Sequence, residues 1–307
     1  MVLSTTNHKA YLIIDAGGTY LKSAMLTEDG TVLENSFFST PAFSDGSRQK
    51  ITEAYNKTVL HGLHFSEENM MVFNGIGIAT PGPFDYENGI PLMIHKFQEI
   101  YGISLRKVIQ HIPEIPMQIP IRFMHDANAV LAGEMWKGNA QGYSNTAVVT
   151  LGTGIGFAFS QNGVIQCNKM GGPLLSVYKQ SCLDGILEDY ASKRGILKMY
   201  QHKRKIRELN EPDVADLAKQ ADEGDEICNS VFQEVGEILA SGLESILLIN
   251  NIHCLLFGGQ ISRSFYLMEN SLRQGLKDIK SLQHIAMVKS IDNAALLGAL
   301  HNLTSSI

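Results

Sequence analysis

Cysteine is scarce in this sequence: Cys167, Cys182, Cys228 and Cys254 are the only four in 307 residues, and no two form a CxxC pair. So scattered a set proposes neither a disulfide framework nor a metal knuckle. Cys254, within the apolar run CLLF, reads as a core residue. No apolar stretch reaches the roughly 20 residues needed to span a bilayer, and MVLSTTNHKAYLIIDAGG carries no signal-peptide core. The expectation is a cytoplasmic protein with no membrane partner. Basic blocks are also missing, apart from HKRKIR (His202 to Arg207), and the formal net charge is −6. That balance argues against a nucleic-acid surface, and the short basic run reads as a solvated helix face or loop. Low-complexity segments and long linkers are absent.

What remains is an ordinary globular composition, 44% hydrophobic and 18% charged, in a chain long enough for two domains. YLIID (Tyr11 to Asp15) reads as a strand entering the turn AGGTY. LKSAMLT and TVLENSFF follow as two further strands around an EDG hairpin turn. Helical spacing runs from Ser47 to Leu63. VFNGIGIATPGP (Val72 to Pro83) is a buried strand ending in a Pro/Gly turn, and a helix near Leu105 to His111 precedes IPIRFMHDA. TAVVTLGTGIGFAFSQNGVI (Thr146 to Ile165) then repeats the opening pattern of strand, glycine turn, returning strand, turn and strand. This internal duplication suggests two similar domains facing one another. The second half is mostly helical, with FQEVGEILASGLESILLIN (Phe232 to Asn250) the longest helix. The expected division is 1–123, closed by a C-terminal helix at 291–307, and 124–290.

In MHDANAVLAGE (Met124 to Glu134), Asp126 stands where a strand becomes a helix. It can be a helix N-cap, or a carboxylate offered at the mouth of a crevice. Three strand-to-glycine turns bear on the choice: DAGGT (Asp15 to Thr19), LGTGIG (Leu151 to Gly156) and FGGQ (Phe257 to Gln260). Glycine turns let backbone N–H groups approach a phosphate, and a Thr hydroxyl adds a donor. None fits a Walker or Rossmann pattern. Two such turns opening two similar halves could grip one nucleotide's phosphates. Asp15 could then hold Mg²⁺ through its waters, and Asp126 could serve as the base that phosphoryl transfer needs.

These segments together resemble the ROK family (repressor, open reading frame, kinase) of sugar kinases and regulators, in the actin-like ATPase superfamily. DAGGTYLKSAML is similar to its first phosphate turn, ATPGPFD to its Pro-Gly segment, and HDANAVLAGE to its catalytic junction. TLGTGIGFAFSQNG is similar to its second phosphate turn, GILEDYASKRG to its CLE segment, and VGEILASGLESILLINNIHCLLFGGQIS and NAALLGAL to its long helix, adenosine turn and closing helix. The resemblance implies a two-domain α/β fold of the actin-like ATPase (ribonuclease H-like) type, with a cleft between the domains. It also implies ATP and Mg²⁺ as cofactors, a hexose-type sugar substrate and a homodimer. Asp126 would be the general base. Asp15, Gly17, Gly18, Thr19, Lys22, Gly152, Thr153 and Gly154 would serve the phosphates and metal, and Gly258, Gly259 and Gln260 the adenosine. Pro81, Gly82, His125 and Glu188 would line the sugar.

The match has two departures. His125 stands where the family usually has Asn, leaving one donor when neutral. The ExGH and CxCGxxGC motifs are replaced by MGGPLLSVYKQSCLDGILE, where a single thiol cannot form a tetrahedral zinc site, so no zinc is expected. Without that Glu and His, the pocket could accept substituted sugars, or Tyr178, Lys179 or Asp184 could replace them. In IHKFQEIYG (Ile94 to Gly102), His95 and Lys96 could reach a substrate, while Phe97 and Tyr101 could instead pack. The resulting expectation is an ATP-dependent sugar kinase. The alternative is a catalytically silent sugar sensor. A DNA-binding repressor is disfavoured, because only ten residues precede the first strand.

Overall fold

The computed structural model describes residues 8–205 and 212–305. The chain divides into two compact units. The first comprises Met1–Trp136, Cys167–Pro173 and Asn293–Ile307, and the second Lys137–Gln166 and Leu174–Asp292. A join at 123/124 therefore falls inside the first unit, one helix too early.

The first unit is built on β1 (Lys9–Ala16), β2 (Tyr20–Leu26), β3 (Phe38–Pro41), α1 (Arg48–Glu68), β4 (Val72–Thr80), the short pair β5 (Phe84–Asp85) and β6 (Ile90–Pro91), α2 (Leu105–Gln110), β7 (Ile121–His125) and α3 (Asp126–Lys137). Its main sheet has the order β3-β2-β1-β4-β7, with β1, β2 and β3 antiparallel and β4 and β7 parallel to β1. β1 and β4 are apolar along nearly their whole length, with Leu12, Ile13, Ile14, Ile76 and Ile78 buried, as strands covered on both faces must be. TVLENSFF does not form one strand. Val32 makes only an isolated bridge to Leu26, Asn35 turns left-handed at φ 57°, and the Ser36 hydroxyl accepts from Met25 N–H at 3.1 Å. The third strand starts only at Phe38.

α3 belongs to this unit because it crosses the C-terminal helix (Ala294–Thr304) backbone to backbone. A Cβ on Gly298 would lie 1.7 Å from the Ala129 carbonyl oxygen, and one on Gly133 would lie 2.1 Å from that of Ala294. Glycine at both positions is what permits this approach.

The second unit repeats the frame with β8 (Thr146–Leu151), β9 (Ile155–Gln161), β10 (Val164–Ile165), β11 (Ser181–Cys182), β12 (Gly185–Ile186), α4 (Glu188–Ala191), α5 (Lys193–Arg204), α6 (Val214–Asp222), α7 (Glu226–Ile249), β13 (Cys254–Gly258), α8 (Phe265–Gly275) and β14 (His284–Met287). Its sheet order, β10-β9-β8-β13-β14, matches the first strand for strand. Asp225 caps α7, accepting from Cys228 N–H at 2.9 Å. The helix then buries Val231, Val235, Ile238, Leu239, Leu243, Ile246 and Leu247 at helical spacing, the stripe that packs it into the core. The basic run 202–207 is not a free solvated face. Lys203 pairs with Glu234 at 2.7 Å and Arg204 with Asp225, while Ile206 and Arg207 lie outside the described residues. Among the described residues no helix is long and apolar enough to cross a membrane.

Candidate active site

In the first unit, β1, β4 and β7 run parallel and end together. Asp15 pairs with Ala79, Ala79 with Met124, and Thr80 with His125. Ligands of open α/β sheets bind outside such carboxyl ends, and most of the expected residues of this unit gather there. β1 ends in the turn Gly17-Gly18-Thr19, closed by Gly17 N–H donating to Tyr20 C=O at 3.0 Å. The N–H groups of Gly18 and Thr19 meet no backbone acceptor among the described residues.

Asp126 begins α3 at the end of β7. One carboxylate oxygen, Oδ1, accepts from Ala127 N–H at 2.7 Å and lies 3.0 Å from His125 Nδ1. That is not the N-cap pattern, in which the side chain reaches the second or third N–H of the helix. The same Ala127 N–H also approaches His125 Nδ1, at 3.1 Å, so the backbone at the start of α3 ties imidazole and carboxylate together. The other oxygen, Oδ2, has no hydrogen-bond partner among the described residues, and the side chain is 42% exposed. Burial works to raise the Asp126 pKa, but His125, the Ala127 N–H and Lys96 outweigh it and hold it below the ordinary carboxylate value. Asp126 is therefore ionised at neutral pH.

Asp15 behaves oppositely. Burial, and then the charge of Asp126, push it up to about 6, with Lys22 opposing. Lys22 sits across the β1–β2 ladder from Asp15 without closing an ion pair. A carboxylate with no hydrogen-bond donor among the described residues, beside a second carboxylate, suits a hydrated divalent cation. One or two carboxylates suffice for Mg²⁺, which keeps most of its waters.

Gly82, in the turn after β4, is closely packed. A Cβ there would lie 3.2 Å from the Tyr86 hydroxyl and 3.5 Å from His125 Cδ2. Tyr86 donates to Thr80 C=O at 3.1 Å and meets the His125 ring edge-on at 5.9 Å, so Pro81-Gly82 and His125 share one wall. The segment Cys167–Pro173 reaches the same wall. Tyr86 N–H donates to Met170 C=O at 3.1 Å, and buried Asn128 donates to Gly171 C=O at 3.3 Å. This segment carries no imidazole and no carboxylate.

In the second unit, the turn Gly152-Thr153-Gly154 links β8 to β9. Gly152 N–H donates to Gly154 C=O at 3.0 Å. Glu188 fixes the turn from the side, its Oε2 accepting from Ile155 N–H at 3.0 Å and lying 2.7 Å from where a Cβ on Gly154 would stand. Sequence reasoning missed this brace. β13, paired with β8, ends at Gly258-Gly259-Gln260. Gly259 has φ 82°, and a Cβ there would lie 2.3 Å from the Leu151 carbonyl oxygen, so the two turns of this unit abut. Gln260 accepts from Arg263 Nε at 3.0 Å, and Arg263 forks onto Asp292 at 2.8 Å to each oxygen.

Among the described residues no three His, Cys, Asp or Glu side chains converge on a metal-sized site. In the segment that replaces the zinc motif, Cys182 is buried in the β11–β12 hairpin. That hairpin is closed instead by Tyr190 donating to Asp184 and Ile186 N–H donating to Asp189 at 3.2 Å. These residues do not fit tetrahedral zinc.

A family profile described as "ROK family" matches residues 11–304. A glucokinase from Thermotoga maritima is 24% identical, over 93% of this chain and 94% of its own. The xylose repressor of Bacillus subtilis is 26% identical, over 85% of this chain and 66% of the repressor. The crystal structure of a ROK family glucokinase from Streptomyces griseus, in complex with glucose and AMPPNP, superposes with a TM-score of 0.79 at 18% identity, over 96% of this chain and 99% of that one. The fold is thus α/β, of the actin-like ATPase class.

Proposed function

This chain belongs to the ROK family, and on that premise we propose that it is an ATP-dependent sugar kinase with Asp126 as its general base. One observation carries the reading. At the ends of three parallel strands, a turn with unused N–H groups lies in the same unit as a carboxylate that has one oxygen oriented and the other free. A protein that only sensed sugar has no physical need for a glycine turn whose N–H groups await an acceptor.

The sugar hydroxyl donates to Asp126 Oδ2, and its proton passes there as the oxygen attacks the γ-phosphorus. The Gly17–Thr19 and Gly152–Gly154 turns supply N–H donors to phosphate oxygens, and Gly258 to Gln260 border the adenosine. Asp15 would hold Mg²⁺ through its waters, and the ion would supply charge neutralisation to the phosphates when bound. His125, Pro81 and Gly82 shape the sugar side. Among the described residues Glu188 Oε1 has no hydrogen-bond partner, and it would serve a sugar hydroxyl.

The acceptor is a hexose or hexose derivative. A wall formed by Cys167–Pro173 without a Glu or His favours a substituted sugar such as a β-glucoside. The test is coupled ADP release with Mg·ATP against hexoses, N-acetylhexosamines and β-glucosides. Turnover with at least one sugar supports the reading. A thermal shift with a sugar, but no ADP release with any, would favour the sensor instead.

A further inference from the structure

Lys96, which the sequence offered only as a residue that could reach a substrate, is a charged group near this site with no part yet in the chemistry. Its side chain lies along the first phosphate turn, with Cδ 3.2 Å, Cε 3.3 Å and Nζ 3.5 Å from where a Cβ on Gly18 would stand. Among the described residues no carboxylate lies within ion-pair distance of its ammonium. The neighbouring N–H groups of Gly18 and Thr19 also find no backbone acceptor. An ammonium can only donate, so three donors of one turn region, the Gly18 and Thr19 N–H groups and the Lys96 ammonium, have no acceptor among the described residues. That is the signature of an anion site.

The loop holds Lys96 there at a cost. Phe97, the next residue, is left-handed at φ 53° although it is bulky and only 1% exposed. Such a conformation costs about 1–3 kcal/mol and persists only when its surroundings over-determine it. Here they do: the ring packs near Tyr55, with centroids 6.5 Å apart, and Phe97 N–H donates to Ser44 C=O at 2.7 Å. Ile94, two residues before Lys96, is 73% exposed. The loop thus anchors at Phe97 and presents Lys96 to the turn.

We propose that Lys96 is a catalytic residue whose ammonium grips the γ-phosphoryl group between the Gly17–Thr19 turn and the sugar hydroxyl held by Asp126. The assignment rests on the kinase reading. In the step, the sugar oxygen bonds to the γ-phosphorus while the bond to the bridging oxygen breaks. ADP leaves with that electron pair, and the hydroxyl proton goes to Asp126. Lys96 keeps its proton throughout and compensates the charge spreading over the phosphoryl oxygens. Its charge also helps keep Asp126 ionised and ready to accept.

The experiment compares kcat and KM for both substrates in the wild-type chain, Lys96→Met and Lys96→Arg, with thermal melts confirming that each variant folds. Losing one such donor typically costs about 10²–10³ in kcat. Lys96→Met should show that loss with the sugar KM within about threefold, and Lys96→Arg should recover at least about tenfold. Wild-type turnover with Lys96→Met within about threefold in kcat would overturn the assignment alone. Equal losses in both variants, tracking a lowered melting temperature, would reduce Lys96 to a packing group and also overturn it. A wild type inert toward every sugar would sink the kinase reading, and the assignment with it.

Discussion

The two units share one sheet order, yet their glycine turns are built differently. In the first unit the turn is closed by its own backbone, and the charges beside it, Asp15, Lys22, Lys96 and Asp126, are not bonded to it. In the second unit the turn is braced by a carboxylate, Glu188, and backs onto the Gly258–Gln260 turn. A repeated frame thus supports unequal chemistry. One copy keeps its charged groups uncommitted, and the other spends a carboxylate on rigidity. The first unit should therefore be tuned for reactivity at some expense in stability, and the second for holding a ligand.

The contrast can be broken most severely where the first unit has least tolerance. Gly298→Val places side-chain atoms against the Ala129 carbonyl, and α3 cannot give way without carrying Asp126 with it. The expected loss is about 3 kcal/mol or more, read as a lowered urea midpoint together with loss of turnover. A variant as stable as the wild type would contradict the close helix crossing.

Next in size is Glu188→Ala. If the brace is its main duty, the ATP KM should rise by about tenfold, the equivalent of one charge-assisted hydrogen bond, with the sugar KM nearly fixed. A sugar KM that moves more than the ATP KM would make Glu188 primarily a sugar ligand.

Asp15→Asn sharpens the same contrast in the opposite direction. The Asp15 pKa is about 6 in the fold, against an ordinary 3.8, so the folded state binds more protons between those values. Stability from this group therefore falls as pH rises from about 4 to about 6, and the penalty is complete above that. Removing the charge should stabilise the protein at pH 7, without nucleotide or divalent cation, by on the order of 1–2 kcal/mol after allowance for partial exposure. It should also abolish Mg²⁺-dependent turnover. A destabilised variant would show that Asp15 is structural.

The smallest effect concerns His61, stacked on Phe38 at 3.9 Å, and His301, stacked on Trp136 at 5.1 Å. Burial lowers both pKa values below 6.5, with Glu68 opposing at His61. The unfolded chain then binds more protons below that value, so their contribution to stability is present above pH 6.5 and is lost as pH falls through the depressed folded values. Urea midpoints for His301→Phe should fall less between pH 7 and pH 5.5 than those of the wild type. Parallel pH profiles would remove His301 from this role.

Much of this was legible in the sequence, because strand, turn and cap signals are local. DAGGT, LGTGIG and HDANAVLAGE announced their strand ends, and the repeated pattern announced the repeated sheet. What was hidden depended on distance along the chain. Lys96 meets Gly18, and Gly298 meets Ala129, only after folding. Nothing in GILEDYASKRG says that Glu188 will reach the N–H of Ile155. The join was misplaced because the crossing of two helices at two glycines, rather than any linker composition, assigns α3 to the first unit. TVLENSFF failed as a strand because Ser36 offered the backbone of Met25 a competing partner.

Whether Asp126 is a base rather than a cap is decided by kcat for Asp126→Asn against the wild type, with the best sugar acceptor and saturating Mg·ATP. The amide can still accept from Ala127 N–H but cannot take a proton, so the account predicts a fall of about 10²–10⁴ in kcat with an unchanged melting temperature. A variant that melts lower while turning over sugar at near the wild-type rate would make Asp126 a helix-terminal residue and contradict the account.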